Sequence, residues 1–200
     1  MNVIEAIQQR RSIKHFDPEH VMSDDVKQQI LSLAALSPTA FNLQHWRLVQ
    51  IEDVALRQTI KELAWGQSQV TDASMLLVLC ADVKAWKKNP ERYWVNAPKE
   101  SQERILPAIQ TYYEGDEQTQ RDEAMRSCGM VAQTLMLTVK SLGYDTCPMV
   151  GFDFKAVGEQ INLPEDHVVS MMLAIGKGVQ NAKPRSGPMP LKEVLITNRF

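Results

Sequence analysis

The chain contains 200 residues and has a mass of 22.7 kDa, a size typical of one domain or of one domain with a sizeable insertion. Its composition, 44% hydrophobic and 23% charged, excludes a disordered chain because enough apolar surface is present to form a core. The formal net charge of −2 gives no overall attraction to DNA, RNA or anionic lipid, so we expect no nucleic-acid partner.

The sequence carries no signal for a membrane protein. Its longest strongly apolar run, residues 75–81, is far shorter than the roughly 20 residues that cross a bilayer as a helix. The N-terminal segment contains Glu5, Arg10 and Arg11 rather than an apolar signal core, and we therefore predict a cytoplasmic protein. The three cysteines are widely spaced, and the four histidines lack the spacing of metal ligands, which predicts buried free thiols and no metal site.

Capping residues and apolar periodicity define the first part of the chain. Asn2 and Glu5 form a capping pair, and Ser23 precedes two aspartates, which places an acceptor and negative charge where the free N–H groups of a helix point. Residues 75–81 are apolar on both faces, as in a central strand covered by helices. In chain order the predicted elements are a helix to about Arg11, a helix from Ser23 to Pro38, a strand over 46–52, a helix from Asp53 to Gly66 and the strand over 75–81.

The middle of the chain combines an irregular segment with a long helix. Residues 82–123 are richer in charge and carry several aromatic side chains, which we interpret as a helical surface excursion that covers a site. Residues 121–142 give the strongest helix pattern and end at Gly143. Because this helix is apolar nearly all round, it must be buried on several sides, and one covering surface could be a second subunit.

The last part of the chain contains short elements and a tail rich in proline and glycine. The pattern predicts a turn or short strand over 145–152, a helix over 154–161, an apolar strand over 168–175 and a β-like segment over 193–197. We expect the tail to reach across a neighbouring surface. Helices and strands alternate with few β-helix-β units, so we predict a single α+β domain over residues 1–200 rather than a doubly wound sheet.

Two basic segments are suited to an anion. Arg10, Arg11, Ser12 and Lys14 follow the first helix, and guanidinium groups with a hydroxyl donor bind phosphate or carboxylate oxygens well. Residues 183–185, Lys-Pro-Arg, add two cations on an irregular segment. The alternatives are cations that complement a helix dipole for the first segment and a solvated loop for the second.

Two other segments are suited to a flat heteroaromatic ligand. The loop over 37–46 contains Asn42 and Gln44, whose amides offer both a donor and an acceptor to a ring edge that carries carbonyl and N–H groups. In residues 147–152, Gly151 lets the backbone approach a flat ligand closely. A capped turn is the alternative for the first segment and an ordinary turn for the second.

Taken in this order, the segments resemble the nitroreductase family of FMN-dependent oxidoreductases. The resemblance covers nearly the whole chain. Each motif occurs by chance, whereas the ordered set is specific. The motifs are Arg-Arg-Ser-x-Lys-x-Phe from Arg10, Ser-Pro-Thr-x-x-Asn-x-Gln-x-Trp from Ser37, Asp-Ala-Ser from Asp72, Gly-Tyr-Asp-Thr-Cys-Pro-Met-Val-Gly-Phe from Gly143 and Lys-Pro-Arg from Lys183.

This resemblance implies an α+β homodimer with a mixed β-sheet flanked by helices, FMN at the subunit interface, the long helix in the dimer core and a C-terminal tail that extends to the partner. It also implies a ping-pong mechanism in which NADH or NADPH passes hydride to flavin N5. The flavin carries the chemistry, so no catalytic side chain is expected. The implied cofactor-binding residues are Arg10, Arg11, Ser12, Lys14, Pro38, Thr39, Asn42, Gln44, Gln67, Gln69, Pro148, Met149, Val150, Gly151, Lys183 and Arg185.

The acceptor is expected to be a small aromatic molecule, a nitroarene or a quinone, in a pocket walled by aromatic side chains. The residues assigned to this wall are Phe41, Trp94, Tyr112 and Tyr113; packing within the excursion is their alternative role. Two rival functions are a flavin-binding storage or sensor protein without turnover and a binding protein for another phosphate ligand. Hydrolases are disfavoured because the chain lacks a Gly-x-Ser-x-Gly elbow and a phosphate-binding Gly-x4-Gly-Lys loop.

Three features depart from the common family pattern or leave a choice open. Val150 stands where many members carry Glu, which removes a side-chain contact but keeps the backbone N–H. Gln67 or Gln69 replaces the Asn and Lys of some members as a neutral donor. Lys14 is assigned either to the phosphate or to the N1 and O2 edge of the ring. Fewer cations near the pyrimidine ring would make the reduced flavin less stable.

Overall fold

The computed structural model describes residues 1–200. Eight α-helices and four β-strands form, joined by short 3-10 turns at Ala40–Asn42, Ala85–Lys87 and Pro90–Tyr93. The helices are α1 (Val3–Gln9), α2 (Asp24–Ala34), α3 (Val54–Leu63), α4 (Gln69–Asp72), α5 (Lys99–Tyr113), α6 (Glu117–Ser141), α7 (Phe154–Gln160) and α8 (Leu191–Val194). The strands are β1 (Trp46–Ile51), β2 (Met75–Asp82), β3 (Asp145–Met149) and β4 (His167–Gly176).

The predicted helix starts are confirmed by their capping contacts. The Asn2 side chain accepts from Glu5 N at 3.0 Å while the Glu5 carboxylate accepts from Asn2 N at 2.9 Å. Ser23 caps α2 and Asp53 caps α3 through their side-chain oxygens. Because a local side chain satisfies each orphan N–H group, these starts depend on neighbouring residues and are readable from sequence. The end of α1 comes at Gln9, earlier than predicted.

The strands form one sheet in the order β1-β2-β4-β3, and every adjacent pair is antiparallel. The α+β class is confirmed, but the expected mixed sheet is not formed. The one parallel pairing is an isolated bridge between Ser12 and Thr146, made by the irregular chain that follows α1. A single bridge is too short to count as a strand, so the sheet itself is purely antiparallel.

Two hydrophobic cores cover the two faces of the sheet. Because successive side chains of a strand point to opposite faces, β2 contributes Leu76 and Val78 to the core under α3 and α7, and Leu77 and Leu79 to the core under α2 and α6. Every residue of β2 is buried. The prediction of a central strand covered on both sides is therefore confirmed.

Gly176 ends β4 where the backbone of another segment passes close to it. A Cβ atom at this position would lie 3.1 Å from Ser74 N and 3.0 Å from Phe16 Cδ1. We expect Gly176→Ala to lower the free energy of unfolding by about 1 to 3 kcal/mol because a backbone atom cannot move aside. Urea denaturation measures this change. The control is Gly129→Ala on α6, where a Cβ meets nothing within 4 Å, and equal stabilities of the two variants would contradict the prediction.

The long helix α6 begins four residues before the predicted residue 121, at Glu117. One side of it, including Cys128, Val131 and Leu135, packs against the sheet. The opposite side is exposed at Gly129 and only partly buried at Met130. In one chain the helix is thus covered on the sheet side, and the expected covering by a second subunit stays a prediction.

The tail differs from its predicted local structure. Residues 193–197 were expected to be β-like, but α8 occupies Leu191–Val194 and no strand follows it. A β-like sequence forms a strand only where another strand edge supplies hydrogen bonds, and this chain offers none there. Large apolar side chains of the tail, among them Met189, Leu195 and Phe200, are exposed.

The excursion over residues 82–123 consists of two 3-10 turns, α5 and the start of α6. An ion-pair network fastens its first part to the domain. Lys88 Nζ lies 3.0 Å from the buried Asp82 carboxylate and 2.6 Å from Asp166, and Arg47 contacts Asp82 at 3.1 Å. Lys88 is therefore a structural cation that holds the excursion to the domain.

None of the helices has the length and apolar character that a membrane span requires.

Candidate functional site

A cavity of about 650 Å³ lies between the end of α1 and the tail. It brings together the two basic segments that the sequence singles out, and no Asp or Glu is among its lining residues. The lining includes Arg10, Arg11, Ser12, Lys14, Lys183 and Arg185. A concentration of cations without a balancing carboxylate favours an anionic ligand with several oxygen acceptors.

The tail is held against α1 by arginine side chains. Arg185 NH2 donates to the carbonyl oxygens of Ile7, Gln8 and Arg10 at 3.1 to 3.3 Å, and Arg11 donates to the carbonyl of Lys183. Arg185 therefore caps the C-terminal carbonyls of α1, a role that was considered for the first basic segment and not for the tail. The Lys183 side chain makes no hydrogen bond or ion pair within the chain and is free to bind a ligand.

The cations in this cavity repel one another. Burial is the largest cause that lowers the pKa of Arg10, and the charges of the neighbouring Arg185 and Arg11 guanidinium groups lower it further. Bringing like charges together in this way is unfavourable unless a counter-charge is present. A bound phosphate would relieve this repulsion, since its oxygens accept several charge-assisted hydrogen bonds at once.

The first basic segment, residues 10–14, runs beside β3. Ile13 N donates to Thr146 O at 2.9 Å, next to the Ser12–Thr146 bridge. Burial raises the pKa of the Cys147 thiol, and the charge of Lys14 opposes that shift. Residues 12 and 13 of the cavity region are thus hydrogen-bonded to β3, the strand that leads into the segment over 147–152.

The chain after β3 is held by two glutamines. Gln67 Nε2 donates to Gly151 O at 2.8 Å and to Ala64 O at 3.0 Å, and Gln69 Nε2 donates to Gln67 Oε1 at 2.9 Å. Both N–H groups of the Gln67 amide are therefore used within the protein. This corrects the expectation that Gln67 offers a free donor to a ligand: it positions the backbone at Gly151 instead. Gln69 is buried and lies 4.0 Å from Cys147 Sγ.

The residues of this segment differ in what they expose. Met149 is buried in the core on the α3 and α7 side of the sheet, so its side chain cannot face a ligand, and only its backbone can. Val150 is 66% exposed and Pro148 is partly buried. The open surface at Val150 and Gly151 is therefore mostly backbone and a small aliphatic group, which suits contact with a flat ring.

Trp65 lies against the segment after β3 and was not singled out by the sequence reasoning. It is 73% exposed, its backbone is left-handed with φ of 57°, and its ring carbon Cζ3 lies 3.0 Å from the position of a Cβ at Gly151. A bulky residue with positive φ is strained and is typical of functional surfaces. In the sequence, a Trp-Gly pair at the predicted end of a helix was the signal that could have indicated this turn.

Three further tail residues that the sequence reasoning did not name also line the cationic cavity: Gln180, Asn181 and Ser186.

The loop before β1 is shaped by three left-handed residues that are not glycine. Phe41, Asn42 and Gln44 have φ between 45° and 56°. Thr39 Oγ1 accepts from Gln44 N at 3.0 Å, and Asn42 Nδ2 donates to Tyr93 O at 3.0 Å. Pro38 is exposed at the start of this loop. The strained loop is thus fixed by its own side chains and by the excursion.

The excursion packs against this loop through aromatic side chains. Trp94 Nε1 donates to Phe41 O at 3.0 Å, and the Phe41 ring lies 5.4 Å from the Tyr112 ring in an edge-on arrangement. Tyr113 is completely buried, so it supports the wall from behind rather than facing a ligand, contrary to the role assigned from sequence. Phe41, Trp94 and Tyr112 retain partial exposure.

The two groups of predicted site residues flank opposite edges of the sheet. Val49 of β1 and Met149 of β3 occupy one row with Val78 and Met172 between them. Three strand spacings correspond to about 14 Å, and Asn42 and Gln44 lie beyond the start of β1. One chain therefore brings the cationic cavity to the segment after β3 but does not bring the loop over 37–46 to that site.

Comparison with known proteins identifies the family. A model of the nitroreductase family matches residues 7–177. The chain belongs to the nitroreductase family. This membership confirms the resemblance that the ordered motifs indicated.

Three similar proteins match nearly the whole of this nitroreductase-family chain. Protein DrgA of Synechocystis sp. is 48% identical over 204 residues, which covers 100% of this chain and 97% of DrgA. MhqN of Bacillus subtilis, named as a candidate NAD(P)H nitroreductase, is 32% identical and covers 94% of each chain. A nitroreductase structure from Exiguobacterium sibiricum, solved in complex with FMN, has a TM-score of 0.90 at 31% identity and covers 98% of this chain and 97% of that one.

Proposed function

We propose that this protein is an FMN-dependent NAD(P)H oxidoreductase that reduces small aromatic acceptors. The observation that carries the proposal is the cavity lined by Arg10, Arg11, Lys14, Lys183 and Arg185, beside which Ser12 and Ile13 pair with β3, the strand that precedes Gly151. Such a surface combines a phosphate site with a platform for a flat ring. Family membership and the FMN complex of a relative at 31% identity support the choice of FMN.

The residues present fit this cofactor. The phosphate would be held by Arg10, Ser12, Lys183 and Arg185, with Arg11 alongside. Lys14, which lines the same cavity, would hold either the phosphate or the N1 and O2 edge of the ring. At that edge a cation stabilises negative charge on the reduced ring.

The remaining groups orient the ring. Gln67 holds Gly151 in place, which directs the backbone N–H groups of that segment, while Val150 supplies an aliphatic surface without a carboxylate. When bound, FMN supplies the redox chemistry, accepting hydride at N5 from NADH or NADPH and passing electrons to the acceptor in a ping-pong sequence. The protein contributes orientation and charge, so no side chain is assigned a catalytic role.

A nitroarene or a quinone is the proposed acceptor class. Phe41, Trp94 and Tyr112 present partly exposed aromatic surface, which stacks favourably on flat electron-poor rings. The three buried cysteines are free thiols, as expected for a protein of the reducing cytoplasm, which is the proposed compartment.

A homodimer would complete the site. Because the loop over 37–46 and the segment after β3 lie at opposite edges of the sheet, a second copy must supply one of them if Asn42 and Gln44 contact the same cofactor as Gly151. Exposed apolar residues on the outer face of α1, such as Val3 and Ile4, and in the tail, such as Leu195, provide surface for such an interface. We expect light scattering after size-exclusion chromatography to give twice the chain mass of 22.7 kDa; a monomer that retains FMN would contradict this arrangement.

The function is tested by the visible spectrum of the purified protein and by anaerobic addition of NADH and then NADPH. We expect a yellow protein that releases FMN on denaturation and bleaches with one of the two reductants, and whose colour returns on adding a quinone. A yellow protein that neither reductant bleaches would instead be the storage or sensor protein. A colourless protein that takes up no FMN would overturn the cofactor assignment.

A further inference from the structure

The tautomer of a buried histidine follows from its neighbours. His45 is 1% exposed, and its Nδ1 lies 3.0 Å from Ser127 Oγ, which itself donates to Glu123 O at 2.8 Å. Ser127 has a single hydroxyl proton and uses it on the carbonyl. Nδ1 of His45 must therefore be the donor to Ser127, which leaves Nε2 of the neutral ring as an acceptor.

This acceptor and a nearby donor have no partner in the protein. His45 Nε2 and Tyr113 OH are both buried without a hydrogen bond, and so is Trp86 Nε1. The Tyr113 ring centroid lies 6.1 Å from the ring of His45 and 6.1 Å from that of Trp86. The unpaired acceptor on His45 and the unpaired donors on Tyr113 and Trp86 thus belong to neighbouring rings, although no direct hydrogen bond joins them.

We infer that His45 and Tyr113 are bridged by one internal water molecule, which donates to His45 Nε2 and accepts from Tyr113 OH. A water has two donor hydrogens and two acceptor lone pairs, so the remaining lone pair can accept from Trp86 Nε1. Buried polar groups with such complementary needs are normally satisfied by ordered water.

The bridge makes His45 and Tyr113 positioning residues for the aromatic wall. Tyr113 packs edge-on against Tyr112 with ring centroids 4.9 Å apart and against Phe41 at 6.1 Å. His45 directly follows Gln44 in the strained loop. The water therefore joins α5, the 3-10 turn Ala85–Lys87 and the loop, while Ser127 joins His45 to α6. Insofar as this wall binds the acceptor, as proposed above, the bridge fixes its shape.

The test begins with Tyr113→Phe in the full-length protein. If the hydroxyl had no partner, removing it would relieve a desolvation cost and raise the melting temperature. If a water bridges it, removal takes a donor from the water, so the water is held less firmly at His45 Nε2 and the melting temperature falls by several degrees. We expect the second result. Tyr144→Phe is the matched control, since it removes a hydroxyl whose partner is His20 Nε2 at 3.3 Å, outside this cluster.

A double-mutant cycle separates the bridge from general packing. His45→Asn keeps a donor in the place of Nδ1 but removes Nε2. The melting shifts of His45→Asn and Tyr113→Phe should be less than additive when combined, because either change alone already breaks the bridge. Additive shifts, or a melting temperature raised by Tyr113→Phe, would overturn the inference. A crystal structure should show the water within 3.2 Å of both side chains.

The positioning role has a readout that stability does not supply. For Tyr113→Phe we expect the KM for a quinone to rise several-fold while the rate of flavin bleaching by the nicotinamide is unchanged. Equal effects on both half-reactions would contradict the positioning role. Because melting requires no turnover, the water site and the proposed oxidoreductase function can fail independently.

Discussion

Replacing both Lys183 and Arg185 with alanine is expected to weaken FMN binding by roughly 10²- to 10⁴-fold. The change removes up to two charge-assisted contacts to the phosphate, each worth about 1.5 to 3 kcal/mol, and every 1.4 kcal/mol corresponds to about tenfold in affinity. The measurement is quenching of flavin fluorescence on titration into the apoprotein. Riboflavin, which has no phosphate, should lose far less affinity than FMN.

The two single variants distinguish a loss of FMN affinity from a loss of protein stability. The Lys183 side chain is exposed and makes no hydrogen bond or ion pair within the protein, so Lys183→Ala should lower FMN affinity with little change in the melting temperature. Arg185 also donates to three carbonyls at the end of α1, so Arg185→Ala should lower both. Salt should weaken the contribution of each contact because the charges are partly exposed.

The control for these variants must be a lysine without a structural role. Lys155→Ala is suitable, since its side chain is 90% exposed and its nearest carboxylate oxygen is 3.9 Å away. Lys88 is not suitable because its ammonium pairs with the buried Asp82. If FMN and riboflavin lost affinity to the same extent, or if Lys155→Ala matched the double variant, the tail would not be part of the phosphate site.

Acidification between pH 6.5 and pH 4 is expected to destabilise the protein through His45 by about 3 kcal/mol in total. Burial lowers the pKa of His45 to about 4, with Glu123 and Asp82 acting in the opposite direction. In the unfolded chain the ring has an ordinary pKa near 6.5. As the pH falls through this window the unfolded state takes up a proton that the folded state does not, so the free energy of unfolding decreases. Below pH 4 both states bind the proton and this contribution becomes constant.

The second prediction is measured by urea denaturation at a series of pH values, with His45→Asn as the variant. Asparagine cannot ionise but retains a donor toward Ser127. We expect a shallower decline in stability between pH 6.5 and 4 for this variant than for the native chain. His15→Asn, which changes an exposed histidine of the cationic cavity, is the control for loss of a histidine, with all variants measured as apoprotein so that FMN does not affect the comparison. Parallel pH profiles for the native chain and His45→Asn would assign the acid sensitivity to other groups.

Local signals in the sequence determined the elements of this protein. The helix starts at Ser23 and Asp53 and the central strand β2 follow from residues that are adjacent or one turn apart. The ordered motifs also indicated the family correctly. These features are readable because capping and period-two burial depend on neighbouring positions, which are present in the sequence itself.

Only the tertiary structure decided how these elements meet. It made the sheet antiparallel throughout, it committed Gln67 to Gly151 across 84 positions of sequence, and it buried Tyr113 behind the wall that sequence assigned to it. It also placed the loop over 37–46 and the segment after β3 at opposite edges of the sheet. Each of these outcomes depends on pairings between distant segments, and residue types and periodicity specify which face of an element is buried but not which distant group it will contact.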